Sequence, residues 1–112
     1  MKRYGSVIAL RPEKIQEYIR LHAAVWPEVL QMIQACHIRN YSIYLRKLAD
    51  DRHYLFSYFE YTGNDFSADM AKLSADPATQ KWWAMCKPCH EPLADRIADE
   101  WWANMEEVFH LD

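Results

Sequence analysis

The chain has 112 residues, of which 51% are hydrophobic and 26% charged, so it fits a single globular domain over 1–112 and not a disordered tail. Its net charge of −3 comes without any basic run, which argues against nucleic-acid and anionic-membrane partners. No apolar stretch approaches the roughly 18 residues of a membrane span, and the N-terminus lacks a signal-peptide pattern. We therefore expect a cytoplasmic protein whose three cysteines stay reduced and free.

Turn signals and apolar periodicity divide the chain into strands and helices. Pro27 interrupts an apolar stripe at helical spacing, and it should kink or restart that helix near residues 24–26. Asp76-Pro77 is typical of an N-cap followed by the first helical residue. In chain order, the predicted elements are a strand at 3–10, a helical stripe from Ile15 to Ile33, strands at 38–47 and 53–61, a short helix at 65–74, a helix from Pro77 that carries Trp82, Trp83 and Met85, and a last strand at 107–111.

This βαββαβ order predicts a ferredoxin-like α+β fold, an antiparallel sheet with helices on one face. The strand at 53–61 is unusual because both of its faces carry large apolar or aromatic side chains. Leu55, Phe59 and Tyr61 lie on one face, and Tyr54, Phe56 and Tyr58 lie on the other. A sheet with one face in water normally alternates with polar residues. We therefore expect a second chain to cover the other face, so that the protein is a homodimer.

The first candidate site is the pair Tyr18 and His22 on the helical stripe. Residues four apart stack on one helix face, so the phenol and the imidazole should meet on the inward side. A hydrogen-bonded core histidine beside a core tyrosine explains this spacing. An acid/base group in a pocket between helix and sheet explains it as well, since the pKa of histidine, about 6.5, permits proton transfer near neutrality.

Two tryptophan pairs are further candidates. Trp82 and Trp83 point about 100° apart on a helix, so they cannot share one core position. One ring can belong to the core and the other to an interface, or the pair can form an indole wall for the apolar face of a ligand. For Trp101-Trp102 we favour packing or a dimer contact.

The run Cys86-Lys-Pro-Cys89-His90 matches the c-type haem attachment pattern. Haem attachment would need export and a haem-sized pocket, neither of which the sequence indicates. A redox role is disfavoured because Cys86 lies near a helix end, and a zinc site would need a second spaced pair of ligands. We interpret the run as packing or coincidence, and we expect neither haem nor zinc.

Taken together, these motifs resemble the L-rhamnose mutarotase family over nearly the whole chain. The residues that carry the resemblance are Tyr18, His22, Trp26-Pro27-Glu28, Asn40-Tyr41-Ser42-Ile43-Tyr44, Lys81-Trp82-Trp83 and Glu107-Val-Phe-His110. The resemblance implies a dimeric ferredoxin-like α+β barrel. It also implies an isomerase that interconverts the α and β anomers of a deoxy sugar in sugar catabolism, without metal or cofactor.

For matched positions the resemblance implies that His22 is the proton donor and that Tyr18, Tyr41, Trp82 and Trp83 bind the sugar. The segment 86–93 departs from the rhamnose pattern and looks more like a branch linked to L-fucose catabolism, which leaves the sugar open between L-rhamnose and L-fucose. Two other functions are kept as alternatives. They are a non-catalytic dimeric sugar-binding module and a cofactor-free oxygenase of the same fold.

Overall fold

A computed structural model describes residues 1–112 and shows one antiparallel sheet with helices packed against it. The elements are β1 (Lys2–Leu10), a 3-10 turn (Pro12–Lys14), α1 (Ile15–His22), α2 (Pro27–Ala35), β2 (Ile38–Lys47), β3 (His53–Tyr61), α3 (Phe66–Ala75), α4 (Pro77–Cys86), a second 3-10 turn (Lys87–Cys89), β4 (His90–Glu91) and β5 (Ala103–Met105). The strand order is β2-β3-β1-β4, and β5 also pairs with β1. This is the ferredoxin-like arrangement that the βαββαβ pattern predicts.

Local signals explain where the helices begin. Pro27 is the first residue of α2, and Trp26 before it is extended, as a residue before proline prefers. The predicted helical stripe is therefore two helices, with the restart where it was expected. The carboxylates of Asp65 and Asp76 cap α3 and α4 by accepting the backbone N–H groups of residues 68 and 79.

The predicted strand at 107–111 is wrong. Instead, the free edge of β1 pairs with two shorter strands: β5 pairs along Gly5–Val7 and β4 pairs along Ala9–Leu10. Residues 106–112 form no strand, and Glu107 meets β1 through its side chain, whose carboxylate accepts from the Arg3 guanidinium at 2.9 Å. The apolar side chains of Val108, Phe109 and Leu111 are mostly exposed.

The helices cover one face of the sheet and build the core there. Ile8 of β1 and Leu55 of β3 pair with each other and pack with Val29 of α2 and Trp82 of α4. The opposite face of the same strands carries Phe56, with Val7 and Tyr44 as its cross-strand partners. No helix of the chain is long and apolar enough to cross a membrane.

Candidate active site

A cavity of about 440 Å³ lies between the sheet and the helices α2, α3 and α4. Twelve of its fourteen lining residues are hydrophobic, and the other two are His22 and Thr79. A concave, largely apolar pocket with a few placed polar groups is the usual form of a small-molecule site. The size suits a single small ligand.

His22 is the last residue of α1, and its ring is fixed on three sides. It stacks on the ring of Tyr18, with 4.1 Å between centroids, and meets the edge of Trp82 at 5.3 Å. Its Nδ1 lies 2.9 Å from the backbone carbonyl oxygen of Tyr18. A carbonyl oxygen can only accept, so Nδ1–H donates and the neutral ring keeps its lone pair on Nε2. That nitrogen has no protein partner, so it is available to a ligand.

The titratable groups around His22 favour their neutral forms. Burial lowers the pKa of His22, although its bond to the Tyr18 carbonyl opposes this effect. Burial raises the pKa of Tyr41 to about 12 and that of Cys86 to about 12, and it raises the pKa of Tyr18 as well. At neutral pH the uncharged imidazole of His22 therefore shares the cavity with the uncharged phenol of Tyr41.

Tyr41 reaches the cavity because β2 is irregular at this point. The pairing of β2 with β3 shifts between Arg39 and Ser42, and Asn40 has a φ of 51°, in the left-handed region that asparagine tolerates better than most residues. Tyr41 is 44% exposed, and desolvation of its hydroxyl raises its pKa. Its ring packs on Phe59 at 5.5 Å.

A polar depression adjoins the cavity beside Tyr41. Arg39, Asn40 and Glu60 line it, and the Asn40 amide donates to the Glu60 carboxylate at 2.7 Å. Tyr41 belongs to the linings of both spaces. The cavity is therefore apolar in its depth and polar next to this residue.

Both predicted tryptophans line the cavity but in different settings. Trp82 is buried in the core between His22 and Trp26. Trp83 is half-buried, and the ammonium of Lys87 lies 5.7 Å from its ring centre. Both indoles therefore contribute to the cavity wall, Trp82 from the core and Trp83 from a half-buried position.

Tyr18 is the one predicted site residue that does not line the cavity. It is 4% exposed and lies behind His22. Its hydroxyl lies 3.3 Å from Nε2 of His90, which the sequence placed in the Cys-x-x-Cys-His run. The structure therefore brings His22, Tyr41, Trp82 and Trp83 together around the cavity and places Tyr18 behind His22.

Three residues of the Cys86–His90 run are buried, while Lys87 and Pro88 between them are exposed. Cys86 and Cys89 are buried and unpaired, and no group of three or more possible metal-ligating side chains gathers in the structure. His90 contacts both members of the second tryptophan pair, accepting from the indole N–H of Trp101 and meeting the edge of Trp102. The Cys-x-x-Cys-His pattern and the tryptophan pair are visible in the sequence, but nothing in the sequence indicates that His90 contacts Tyr18.

The contribution of α2 to the cavity was not apparent from the sequence pattern. Val29, Leu30 and Ile33 line the cavity, and their helical spacing was interpreted only as a core stripe. Thr79, whose hydroxyl bonds to the Asp76 carboxylate at 2.8 Å, lines it from α4. Periodicity identifies such residues as inward-facing, but it cannot separate a packed interior from a cavity wall.

Comparison with known proteins identifies the family. The model of the L-rhamnose mutarotase family matches residues 3–111. The chain belongs to the L-rhamnose mutarotase family. It is 33% identical to the L-rhamnose mutarotase of Oceanobacillus iheyensis and 35% identical to that of Phocaeicola vulgatus, in each case over 112 residues and the full length of both chains. Membership of this family makes it a carbohydrate isomerase.

A solved structure agrees with the fold. The L-rhamnose mutarotase of Formosa agariphila superimposes with a TM-score of 0.74 over the whole of both chains, at 21% identity. At that identity the likeness shows that the ferredoxin-like fold is shared.

Proposed function

We propose that the protein interconverts the α and β anomers of a 6-deoxy-L-hexose, either L-rhamnose or L-fucose, in sugar catabolism. The observation that carries this proposal is the free Nε2 of His22 on the wall of a small apolar cavity. The family supplies the type of reaction, and the relatives named above carry L-rhamnose in their names.

Mutarotation needs one proton removed from the anomeric hydroxyl and one delivered to the ring oxygen. Neutral His22 takes the hydroxyl proton at Nε2, and the imidazolium then donates it to the ring oxygen. As the C1–O5 bond breaks, its electron pair goes to O5, while the electron pair of the former O1–H bond forms the aldehyde carbonyl. The proton donor role that the resemblance implies for His22 is thus the second half of a shuttle that starts with a base.

A single acid/base group is enough for this reaction. Positioned proton transfer contributes about 10²–10⁴-fold, and anomers already interconvert slowly in water. The open-chain aldehyde then turns about its C1–C2 bond and closes on its other face, while His22 returns the proton from O5 to O1. His22 ends the cycle neutral.

The shape of the site fits a deoxy sugar. We place the C6 methyl against the indole wall of Trp82 and Trp83, where apolar surface is available. The sugar hydroxyls then lie toward Tyr41 and the polar depression next to it. In this arrangement Tyr18 acts through His22 and does not bind the sugar itself, because its ring stacks on the His22 ring.

The protein is further proposed to be a homodimer in the cytoplasm. The open face of the sheet supports the dimer, since Tyr44 is 66% exposed there and lies beside half-buried Phe56. A second copy packed on this face would bury both rings and complete the barrel that the resemblance implies. The three unpaired thiols fit a reducing compartment.

Exchange NMR on L-rhamnose, L-fucose and D-glucose tests the proposed function. Catalytic amounts of protein should transfer saturation between the α and β anomeric signals of a deoxy sugar, and D-glucose should respond less because it carries a hydroxyl on C6. A protein that broadens the signals without speeding exchange would be a binding module, which would overturn the proposal. Oxygen consumption with a phenolic compound, without anomer exchange, would point to the oxygenase alternative.

A further inference from the structure

His90 is a buried histidine that the proposed reaction does not use. It is 5% exposed, and its ring lies among three aromatic side chains from two parts of the chain. Tyr18 of α1 meets it at 5.2 Å between centroids, Trp102 at 5.4 Å and Trp101 at 6.4 Å. A buried polar group is costly unless it is hydrogen-bonded, so the partners of both ring nitrogens matter.

Both nitrogens have partners, and together they define one tautomer. The indole N–H of Trp101 can only donate, and it lies 3.0 Å from Nδ1 of His90. Nδ1 is therefore the acceptor, so the proton of the neutral ring is on Nε2. Nε2–H then donates to the hydroxyl oxygen of Tyr18 at 3.3 Å. The bond between Trp101 and His90 can run only from the indole N–H to Nδ1, because the tryptophan side chain has no hydrogen-bond acceptor.

Tyr18, whose hydroxyl bonds to His90, is also the residue on which the His22 ring stacks. Tyr18 and His22 are nearly parallel, with 27° between their planes and 4.1 Å between their centroids. The hydroxyl end of Tyr18 is fixed by His90, and its backbone carbonyl fixes Nδ1 of His22. A chain of contacts thus runs from Trp101 through His90 and Tyr18 to His22.

We infer that His90, its tautomer selected by Trp101, is a positioning residue that holds Tyr18 against the back of His22. The inference rests on the proposed function, because His22 is the group whose position it controls. Misplacing a catalytic group by about 1 Å can cost on the order of a hundredfold in rate. His90 of the Cys-x-x-Cys-His run and Trp101 of the second tryptophan pair thereby acquire a role in the site.

Burial keeps His90 neutral and so suits this role. Burial, with smaller contributions from His22 and Lys87, lowers its pKa to about 4. Protonation would place a hydrogen on Nδ1 and abolish the bond from Trp101. The arrangement is therefore intact at neutral pH and would be lost only near pH 4.

The pH at which the rate falls on the acid limb of the pH–rate profile distinguishes a positioning role of His90 from a merely structural one. Tyr18 stacks on His22 from the same helix, Tyr41 of β2 lines the same cavity, and His90 of β4 contacts Tyr18; none of the three is charged at neutral pH. The reaction needs His22 unprotonated, so the rate falls as pH drops through its pKa. If Tyr18 loosens and water reaches His22, that pKa rises and the limb moves to higher pH.

Four variants separate this role from packing. His90→Leu keeps an apolar core but removes both bonds, whereas His90→Gln retains an N–H donor for Tyr18 and a carbonyl acceptor for Trp101. Trp101→Phe removes the donor that selects the tautomer. Trp102→Phe is the matched control, because Trp102 contacts the His90 ring without a hydrogen bond to it.

The variants are compared by exchange rates with L-rhamnose at several concentrations and pH values. His90→Leu should lower kcat about tenfold or more with little change in KM, and its acid limb should lie at higher pH. Trp101→Phe should lower kcat about threefold to tenfold, while His90→Gln and Trp102→Phe should stay within about threefold and twofold of wild type. A folded His90→Leu variant with the wild-type kcat and acid limb would overturn the inference, as would equal losses in both tryptophan variants.

Nitrogen-15 NMR of the histidine rings keeps the test independent of activity and of whether His90→Leu folds. The wild-type spectrum should show His90 with its proton on Nε2, and Trp101→Phe should give a mixture of tautomers. A wild-type ring with its proton on Nδ1 would refute the inference even if the enzyme is active. If the wild-type protein speeds no anomer exchange, the proposed function fails, and the histidine spectra still decide whether the bonds to Tyr18 and Trp101 exist.

Discussion

The two faces of the sheet differ in how completely one chain covers them, although the same strands supply both. On the helix-covered face, Leu55 is buried in a core that four helices complete around the cavity. On the open face, its neighbour Phe56 is only half-buried and Tyr44 projects into solvent. In the proposed function, the reaction and the dimer contact therefore lie on opposite sides of one sheet, so each side can be altered separately.

The largest expected effect comes from the cavity side. His22→Asn keeps an N–H at the position of Nδ1, so the bond to the Tyr18 carbonyl and the fold should survive. The variant lacks Nε2, and anomer exchange should fall by about 10²–10⁴-fold. Exchange NMR measures the rate, and sedimentation should show an unchanged oligomeric state.

A folded His22→Asn protein with wild-type exchange would remove the shuttle from the mechanism. Circular dichroism and thermal unfolding on the same samples establish folding. If His22→Asn lost both anomer exchange and the dimer, the two faces of the sheet would be coupled and could not be altered separately.

The second effect concerns the open face. Wild-type protein should sediment at about twice the chain mass of 13.4 kDa. Tyr44→Lys places a charge on a ring position that is exposed in the single chain, so it should leave the monomer folded but weaken the dimer about tenfold or more, since a buried interface aromatic is worth about 2 kcal/mol. Analytical ultracentrifugation across a concentration series measures the dissociation constant.

Ile19→Lys provides the matched control for the open face. Ile19 is an apolar residue of α1 that is 48% exposed, on the helical layer. It should leave the dimer unchanged. A wild-type protein that stays monomeric at micromolar concentration would sink the dimer proposal, and equal weakening by both lysines would show that the open face is not the interface.

How much of this could be predicted from the sequence depends on whether the signal is local. The Asp76-Pro77 start of α4 and the stacking of Tyr18 on His22 follow from neighbours within one helical turn, and both are as predicted. The prediction of a strand at 107–111 was wrong because strand pairing depends on partners distant in sequence: the edge of β1 pairs instead with residues 103–105 and 90–91. The bond from Trp101 to His90 crosses an irregular segment, and no periodicity marks it.

A third effect is a small one on stability. Cys86 and Cys89 lie buried in the core, so changing both to Ala should cost about 1 kcal/mol each in the free energy of unfolding. We expect exchange to stay within about twofold of wild type and elemental analysis to find less than stoichiometric zinc. Alanine is preferred to serine because a buried hydroxyl would need a new partner. Stoichiometric zinc that disappears in this double variant would contradict the packing interpretation.

The smallest effect concerns which sugar is preferred. L-rhamnose and L-fucose share the C6 methyl and differ in hydroxyl configuration, which only placed polar groups can distinguish. None of the residues 86–93 lines the cavity. The segment is connected to the site through the hydrogen bond from His90 to Tyr18. We expect exchange with both sugars.

Replacing 86–93 by an Asn-Pro-Asp-Asn-Ser-Pro-like segment should therefore change the ratio of the two exchange rates by no more than a fewfold. The graft removes His90, so both rates should also fall, and His90→Leu is the control for that common loss. A ratio that differs between the graft and His90→Leu would show that the segment itself affects selectivity. An identical ratio in both would place selectivity at the polar depression beside Tyr41, where Asn40 and Glu60 meet the sugar hydroxyls in the proposed arrangement.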